Sequence, residues 1–337
     1  MTDAPRVPGA LDIDEVPPPS PIVRPTVRLA APARGRLRSR LVACVAAVSL
    51  AGCTPPPRTV PELFAPGVIS SAPAFSPDGD TVYFTRKHAI VVAHRRGDSW
   101  TVPEVLPFSG RWADSDPAMA PDGSHMVFVS NRPAAEPGAE LDGEWGYPER
   151  KVQKGLGANL WRVDRRGDGW GPATRLPDSV NRGTAVFEPS IVADGSLFFM
   201  DAHVPGRFRF YRSQYESGGY LAPEPLPFSD GTWSDWDATV APDESFMVFA
   251  SDRPPVVDTH GDHLFIVFRD GGAWRRIAHL GAINDAQAGS VKPRLGPDHH
   301  TLYFSSDRAL PATLQGAVGA APAGFHLWRV DLAQWLR

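Results

Sequence analysis

The chain is poor in the features that mark several large protein classes. It has 2 cysteines in 337 residues, which excludes a disulfide scaffold. Its one clear apolar run, Leu41 to Ala51 (LVACVAAVSLA), is about 11 residues long, too short to span a bilayer. The formal net charge is −4 and no long basic run follows the N-terminal region, so the charge pattern offers no nucleic-acid footprint. No G-x-S-x-G elbow, H-E-x-x-H helix, Walker loop or dinucleotide fingerprint occurs. What is abundant is proline: 36 residues, roughly twice the ordinary share of ~5%. That discourages long helices. Glycine and proline together still fall short of the ~25–30% of low-complexity disorder. With 10 Trp and 17 Phe available for a core, the composition points to a turn-rich, aromatic-rich β protein.

The first sixty residues read as an address. Residues 1–33 are Pro-rich and aperiodic, and are expected to be a disordered extension. Arg34, Arg36, Arg38 and Arg40 then precede the short apolar run, which suits a secretory h-region. The run ends in Leu50-Ala51-Gly52-Cys53, followed by Thr54-Pro55-Pro56-Pro57. This resembles a bacterial lipobox. The resemblance implies a mature chain that begins at Cys53 with lipid on its sulfur, while Cys44 leaves with the signal. The long n-region is read as an upstream start codon, the alternative being an unusual cytoplasmic extension. The division expected is therefore 1–52 extension plus signal, 53–58 lipidated Cys and tether, and 59–337 folded domain. An exported protein anchored in the bacterial cell envelope follows, periplasmic or at the outer membrane if the cell has two membranes. Thr54 is not the Asp associated with inner-membrane retention.

An internal repeat governs the rest. A short strand enters a Pro-Asp-Gly turn and returns as an aromatic-rich strand: Ala72-Pro73-Ala74-Phe75-Ser76-Pro77-Asp78-Gly79 is the first example. Others carry Asp116-Pro117, Glu188-Pro189, Asp237-Ala238 and Lys292-Pro293 at the entry, with turn aspartates Asp122, Asp194, Asp243 and Asp298. Proline presets φ, Asp hydrogen-bonds locally and Gly accepts positive φ. Ser-Asn/Asp-Arg ends the return strand at Arg132, Arg253 and Arg308. A third strand follows each unit, such as Leu160-Trp161-Arg162-Val163-Asp164, then a Gly-rich turn and a fourth strand opening on Trp100, Trp170, Tyr220 or Trp274. Four strands per 45–55 residues is the grammar of a β-propeller blade.

The chain stops at Trp335-Leu336-Arg337, where a last fourth strand would begin, and Thr59-Val60-Pro61-Glu62-Leu63-Phe64 resembles Thr101-Val102-Pro103-Glu104-Val105-Leu106. The N-terminal segment is thus expected to complete the last blade and close the ring. Five blades are predicted. Six is the alternative, if a degenerate blade hides between Asp122 and Asp194. A polar, strand-poor loop insertion, Ala134 to Gly157, accounts for that spacing. The repeats resemble WD40-like (PD40) β-propellers of the TolB type and of PD40 bacterial lipoproteins. The resemblance covers roughly 59–337 and implies an all-β propeller. It says little of function, because the matching residues are turn and core positions. TolB proper also carries a separate N-terminal α/β domain, which residues 54–70 are not expected to supply, and this weighs against a TolB-type translocation role.

In such a fold the long insertions at 134–157, 254–262 and 309–324 share the face opposite the Pro-Asp-Gly turns. Ala72, Asp116, Glu188, Asp237 and Lys292 are expected at the channel mouth, with Asp114 and Asp235 two residues upstream. One reading is an acidic funnel for a cation, a metal ion or a polar sugar-like ligand. The other is that these carboxylates cap strand ends, pair with Lys292 and nearby Arg, and are simply hydrated. Trp112, Trp233 and Trp236, in loops joining blades, are candidates to stack on sugars or a partner side chain. Asp258, His260, Asp262 and His263 form the one cluster of metal-ligand type, for a divalent cation. His299-His300 reads as an exposed turn on the opposite face, Asp252-Arg253 and Asp307-Arg308 as turn locks, and the Trp100, Trp170, Trp274, Trp335 series as packing between blades. The expected function is a protein- or ligand-binding module, its partner an envelope protein or a polar small molecule or glycan, with no nucleic acid and no required cofactor. The alternative is a carbohydrate-active hydrolase or lyase using Asp116 and Glu188.

Overall fold

The computed structural model describes residues 60–69, 71–135, 137–145, 151–202, 207–255, 262–311 and 324–337. The expected signal, Cys53, the tether up to residue 58, Asp258 and His260 lie outside them. Five antiparallel sheets form the blades of a propeller. Blade 1 holds Ala74–Phe75, Thr81–Arg86 and Ala89–Arg96; blade 2 holds Asp114–Met119, His125–Ser130 and Asn159–Arg166. Blade 3 is Val186–Ile191, Leu197–Asp201 and Arg209–Ser213; blade 4 is Asp235–Val240, Phe246–Ser251 and His263–Asp270. Blade 5 is Ser290–Leu295, Thr301–Ser306 and His326–Asp331. Its fourth strand is Glu62–Leu63, paired as Glu62↔Arg329 and Leu63↔Trp328, so the N-terminal segment closes the ring.

Proline decides the length of the outer strands. Pro103, Pro172 and Pro223 lack an N–H for the ladder, and the outer edges of blades 1–3 are correspondingly short: Glu104–Val105, Thr174–Arg175 and Glu224–Pro225. Blade 4 has no proline there, and Ala273–His279 runs unbroken. Arg275 and Arg276 guard that longer edge, and a bulge with Arg276 at φ 53° bends it, both devices that discourage edge pairing.

The fully buried faces are aromatic, including Phe84, Phe128, Phe198, Phe249 and Phe304 from the second strands. The outer-strand tryptophans pack across blade boundaries. Trp170 of blade 2 lies 5.7 Å from Tyr83 of blade 1, and Trp274 of blade 4 lies 6.0 Å from Phe198 of blade 3. At the closure, Phe64 and Phe75 sit 4.8 and 4.7 Å from Tyr303. The insertion in blade 2 corrects the expectation of a strand-poor loop. Gly143–Trp145 pairs with Lys151–Gln153 in a small hairpin, so residues either side of the polar stretch find each other as local partners.

Candidate functional site

The first strand of blades 2 to 5 breaks register at one place: Ser115/Ala118, Phe187/Ser190, Trp236/Thr239 and Val291/Arg294. Within each break one residue is left-handed: Asp116 (φ 49°), Glu188 (48°), Asp237 (53°) and Lys292 (53°). Ala72 of blade 1 has the same conformation at 42°. Such a φ in a non-glycine residue costs on the order of 1–3 kcal/mol and persists only when its surroundings fix it. Here the bulge frees backbone N–H groups from the ladder, and side chains of the preceding blade accept them. Asp116 N–H donates to Thr85 Oγ1 at 3.0 Å, and Lys292 N–H donates to Asp237 Oδ2 at 3.1 Å.

Three of the carboxylates expected at the channel are thereby brought together with Lys292. Its Nζ spans the channel, donating to Asp116 Oδ1 at 2.9 Å and to Glu188 Oε1. Arg294, two residues on, donates from Nη2 to Glu188 Oε2 at 2.5 Å. Burial opposes ionisation of Glu188, but Lys292 and Arg294 outweigh it and hold its carboxyl far below the usual range. Burial and the Glu188 charge push Asp116 up despite Lys292. They push Asp237 up to about 8, so it is mostly protonated at neutral pH. Burial would lower Lys292, yet the three carboxylates drive it well above the ordinary lysine value. The ring therefore sets two cations, Lys292 and Arg294, against the Glu188 carboxylate, an Asp116 carboxyl whose ionisation is resisted by burial, and a mostly neutral Asp237. Lys292 and Asp116 side chains keep 18% and 12% of their exposure, which leaves water some access to the ring.

Other expected residues lie elsewhere. Asp114 and Asp235 are not at a channel mouth. They are 0% and 1% exposed inside their blades, where Asp114 meets Arg132 at 3.0 Å and Asp235 meets Arg253 at 2.5 Å. The reason is the pleat: the arginine of Ser-Asn/Asp-Arg folds back along the second strand onto the start of the first. Each arginine also lies over a core ring, Phe128 at 5.0 Å and Phe249 at 4.9 Å. The Arg253 lock is thus made to Asp235, not Asp252, which pairs with Arg207 instead. Trp236 packs 5.4 Å from Phe208 in the core shared by blades 3 and 4, which withdraws it from ligand stacking. Trp112 is half-buried under the Arg111 guanidinium at 4.9 Å, and Trp233 is exposed.

Of the metal-type cluster, Asp262 and His263 are both buried. His263 Nδ1 and His279 Nε2 share a hydrogen bond at 2.9 Å, and burial lowers both imidazoles. Burial and the Asp252 charge raise Asp262 to about 7. Among the described residues no group of three His, Cys, Asp or Glu has metal-binding geometry. His299 is exposed in its turn at φ 61°. Arg294 was the functional residue not anticipated. The signal was its place in the repeat: Arg294 stands where the other repeats carry the small residues Ala74, Ala118, Ser190 and Thr239.

No protein-family model matches the chain, and no curated protein matches it. Among solved structures it is similar to TolB from Agrobacterium tumefaciens, at 18% identity and TM-score 0.46 over 71% of this chain and 70% of that one. TolB from Acinetobacter baumannii gives 14% and 0.42, over 77% of this chain and 53% of that one. A thermostable family-43 glycoside hydrolase gives 9% and 0.49, over 79% and 91%. The blade count rests on the sheets described above.

Proposed function

We propose that the protein is an exported, lipid-anchored envelope propeller that binds a protein or a polar ligand through its loop face and carries out no chemistry of its own. The observation that supports this is the position of Lys292. A glycosidase needs two carboxyls facing an open gap that admits the glycosidic oxygen or a water. Here the gap between Asp116 and Glu188 is filled by the ammonium that pairs with both. The connections between second and third strands are longest in blades 2, 4 and 5, and their described ends, such as Asn131, Asp252 and Asp307, leave from the face opposite the Pro-Asp-Gly turns. Trp233 stands exposed in a loop joining blades beside them.

Two experiments separate anchoring from binding. Metabolic labelling with palmitate should mark the full chain and not Cys53→Ser; equal labelling of both excludes the anchor. Affinity capture from envelope extracts with the full chain should recover a partner that Trp233→Ala weakens. A capture indifferent to every loop-face change would count against the binding face. The second reading, a carbohydrate hydrolase or lyase, draws on Asp237, a carboxylic acid that keeps its proton at neutral pH. Turnover of glycan substrates that Asp237→Asn abolishes would replace the binding module with that enzyme.

A further inference from the structure

The channel continues past the charged ring toward the Pro-Asp-Gly turns, and there it opens into a cavity of about 240 Å³. Its walls come from all five first strands and are mostly apolar: Pro73, Pro117 and Pro189, with Ala118, Met119 and Val240. Its rim is interlocked. A Cβ placed on Gly79 would meet Pro297 at 3.1 Å, and one on Gly123 would meet Pro77 at 3.1 Å, so the turns of blades 1 and 2 seat against the turn of the preceding blade.

Arg294 also lines the cavity, with its side chain 7% exposed. Its Nη1 donates to Pro293 O at 3.0 Å and its Nη2 to Glu188, but Nε is buried with no acceptor among the described residues. Ser190 Oγ and Thr239 Oγ1, also in the lining, accept the backbone N–H groups of Val240 and Leu295 at 3.1 and 3.2 Å. Each of these hydroxyls therefore keeps its own hydrogen to donate. Proline walls supply no N–H at all. Arg294 Nε is sealed from solvent, so the cavity is a mostly apolar chamber whose spare donors are the Ser190 and Thr239 hydroxyls. A buried donor left unmade costs more than a made bond returns, so a ligand that supplies an acceptor is favoured.

We propose that this funnel is a binding site, separate from the loop face, for a small neutral cyclic or aromatic compound that bears a carbonyl-type acceptor. Three features set that class. The volume falls just below the ~300–1,000 Å³ usual for ligand pockets and suits roughly ten heavy atoms. Proline rings offer flat C–H surfaces to an aromatic face. Neutrality follows from charge: Arg294 is already matched by Glu188, and Lys292 by Asp116 and Glu188, so no unmatched cation is left in the ring to hold an anion. The interlocked rim makes the chamber preorganised, which lowers the ordering cost of binding.

The five methionines provide the test. Met119 lines the cavity, whereas Met126 and Met247 are fully buried and Met200 is 6% exposed elsewhere. The full chain labelled at methionine methyls is titrated with benzamide, toluene and benzoate, and Met119 is assigned with Met119→Leu. Benzamide should shift Met119 and leave Met200 still, with a dissociation constant on the order of 1 mM, as befits so small a ligand. Toluene, lacking the acceptor, and benzoate, carrying charge, should each bind about tenfold more weakly. An unmoved Met119 overturns the site. Toluene equal to benzamide overturns the role of the spare donors, and benzoate binding more tightly overturns the neutral class. The loop-face reading stands or falls on its own experiments in each case.

Discussion

Asp235 and Asp237 lie two residues apart on one strand, and their surroundings treat them differently. Asp235 is sealed inside blade 4 with Arg253 and the Ser251 hydroxyl, which donates to it at 2.8 Å. Asp237 turns out through the bulge into the channel, where it accepts the Lys292 N–H and faces other carboxylates. Asp114 and Asp116 repeat the contrast in blade 2. One member of each pair is fastened within its own blade, and the other joins a network contributed by four blades. Residue type alone does not separate them. The left-handed φ does, because it turns one side chain off the blade face and into the axis.

The contrast can be broken at several points. Arg253→Met leaves the Asp235 carboxylate buried without its partner and should cost about 3–5 kcal/mol in urea unfolding, the largest loss expected of any substitution in either region. Lys292→Met strips the ammonium from Asp116 and Glu188. It should cost about 3 kcal/mol, less than the blade-interior lock because water reaches the ring and the carboxyls can take up protons. A loss as large as that of Arg253→Met would mean the two regions are equally closed.

The acid in the ring gives a test in pH. The folded value of Asp237, about 8, lies above its usual 3.8, so between them the native state holds a proton that the unfolded chain has lost. Stability from this group is therefore greatest at low pH, falls as pH rises from about 4 to about 8, and is flat beyond. Asp237→Asn keeps an acceptor for the Lys292 N–H and removes that slope. The variant should match the parent near pH 4 and exceed it at pH 9, as read from urea midpoints. If the two curves run parallel, Asp237 is ionised throughout. The smallest effect belongs to Glu62→Ala. Its contact with Arg329 at 3.5 Å is half in solvent, and its loss should change stability by less than about 1 kcal/mol.

Much of the fold was legible because its signals are local. Each Pro-Asp-Gly turn, each alternating third strand and the match of Thr59–Phe64 to an outer strand can be read within a dozen residues. The set Ala72, Asp116, Glu188, Asp237 and Lys292 was also recognisable, since one position recurs in each repeat. What escaped depends on contacts between distant residues. Asp114 looks as available as Asp116 until Arg132, 18 residues on, folds back over Phe128. Trp236 reads as a loop tryptophan until Phe208 of the neighbouring blade covers it. That Lys292 would reach blades 2 and 3 rather than its neighbours depends on the channel radius, which no spacing encodes.

The two-residue strand that completes blade 5 also orders events in time. Glu62 and Leu63 must find Arg329 and Trp328, so this pairing joins residues from opposite ends of the folded chain. Every other strand pair in the blades links neighbours along the sequence and can form as the chain lengthens. Loop closure over such a separation comes late and is slow, so the ring is expected to shut in a final step, after four blades and most of the fifth have formed. A circular permutant with residues 60–64 placed after Arg337 converts that long search into a local hairpin, and it should reach the native state faster with the same set of contacts.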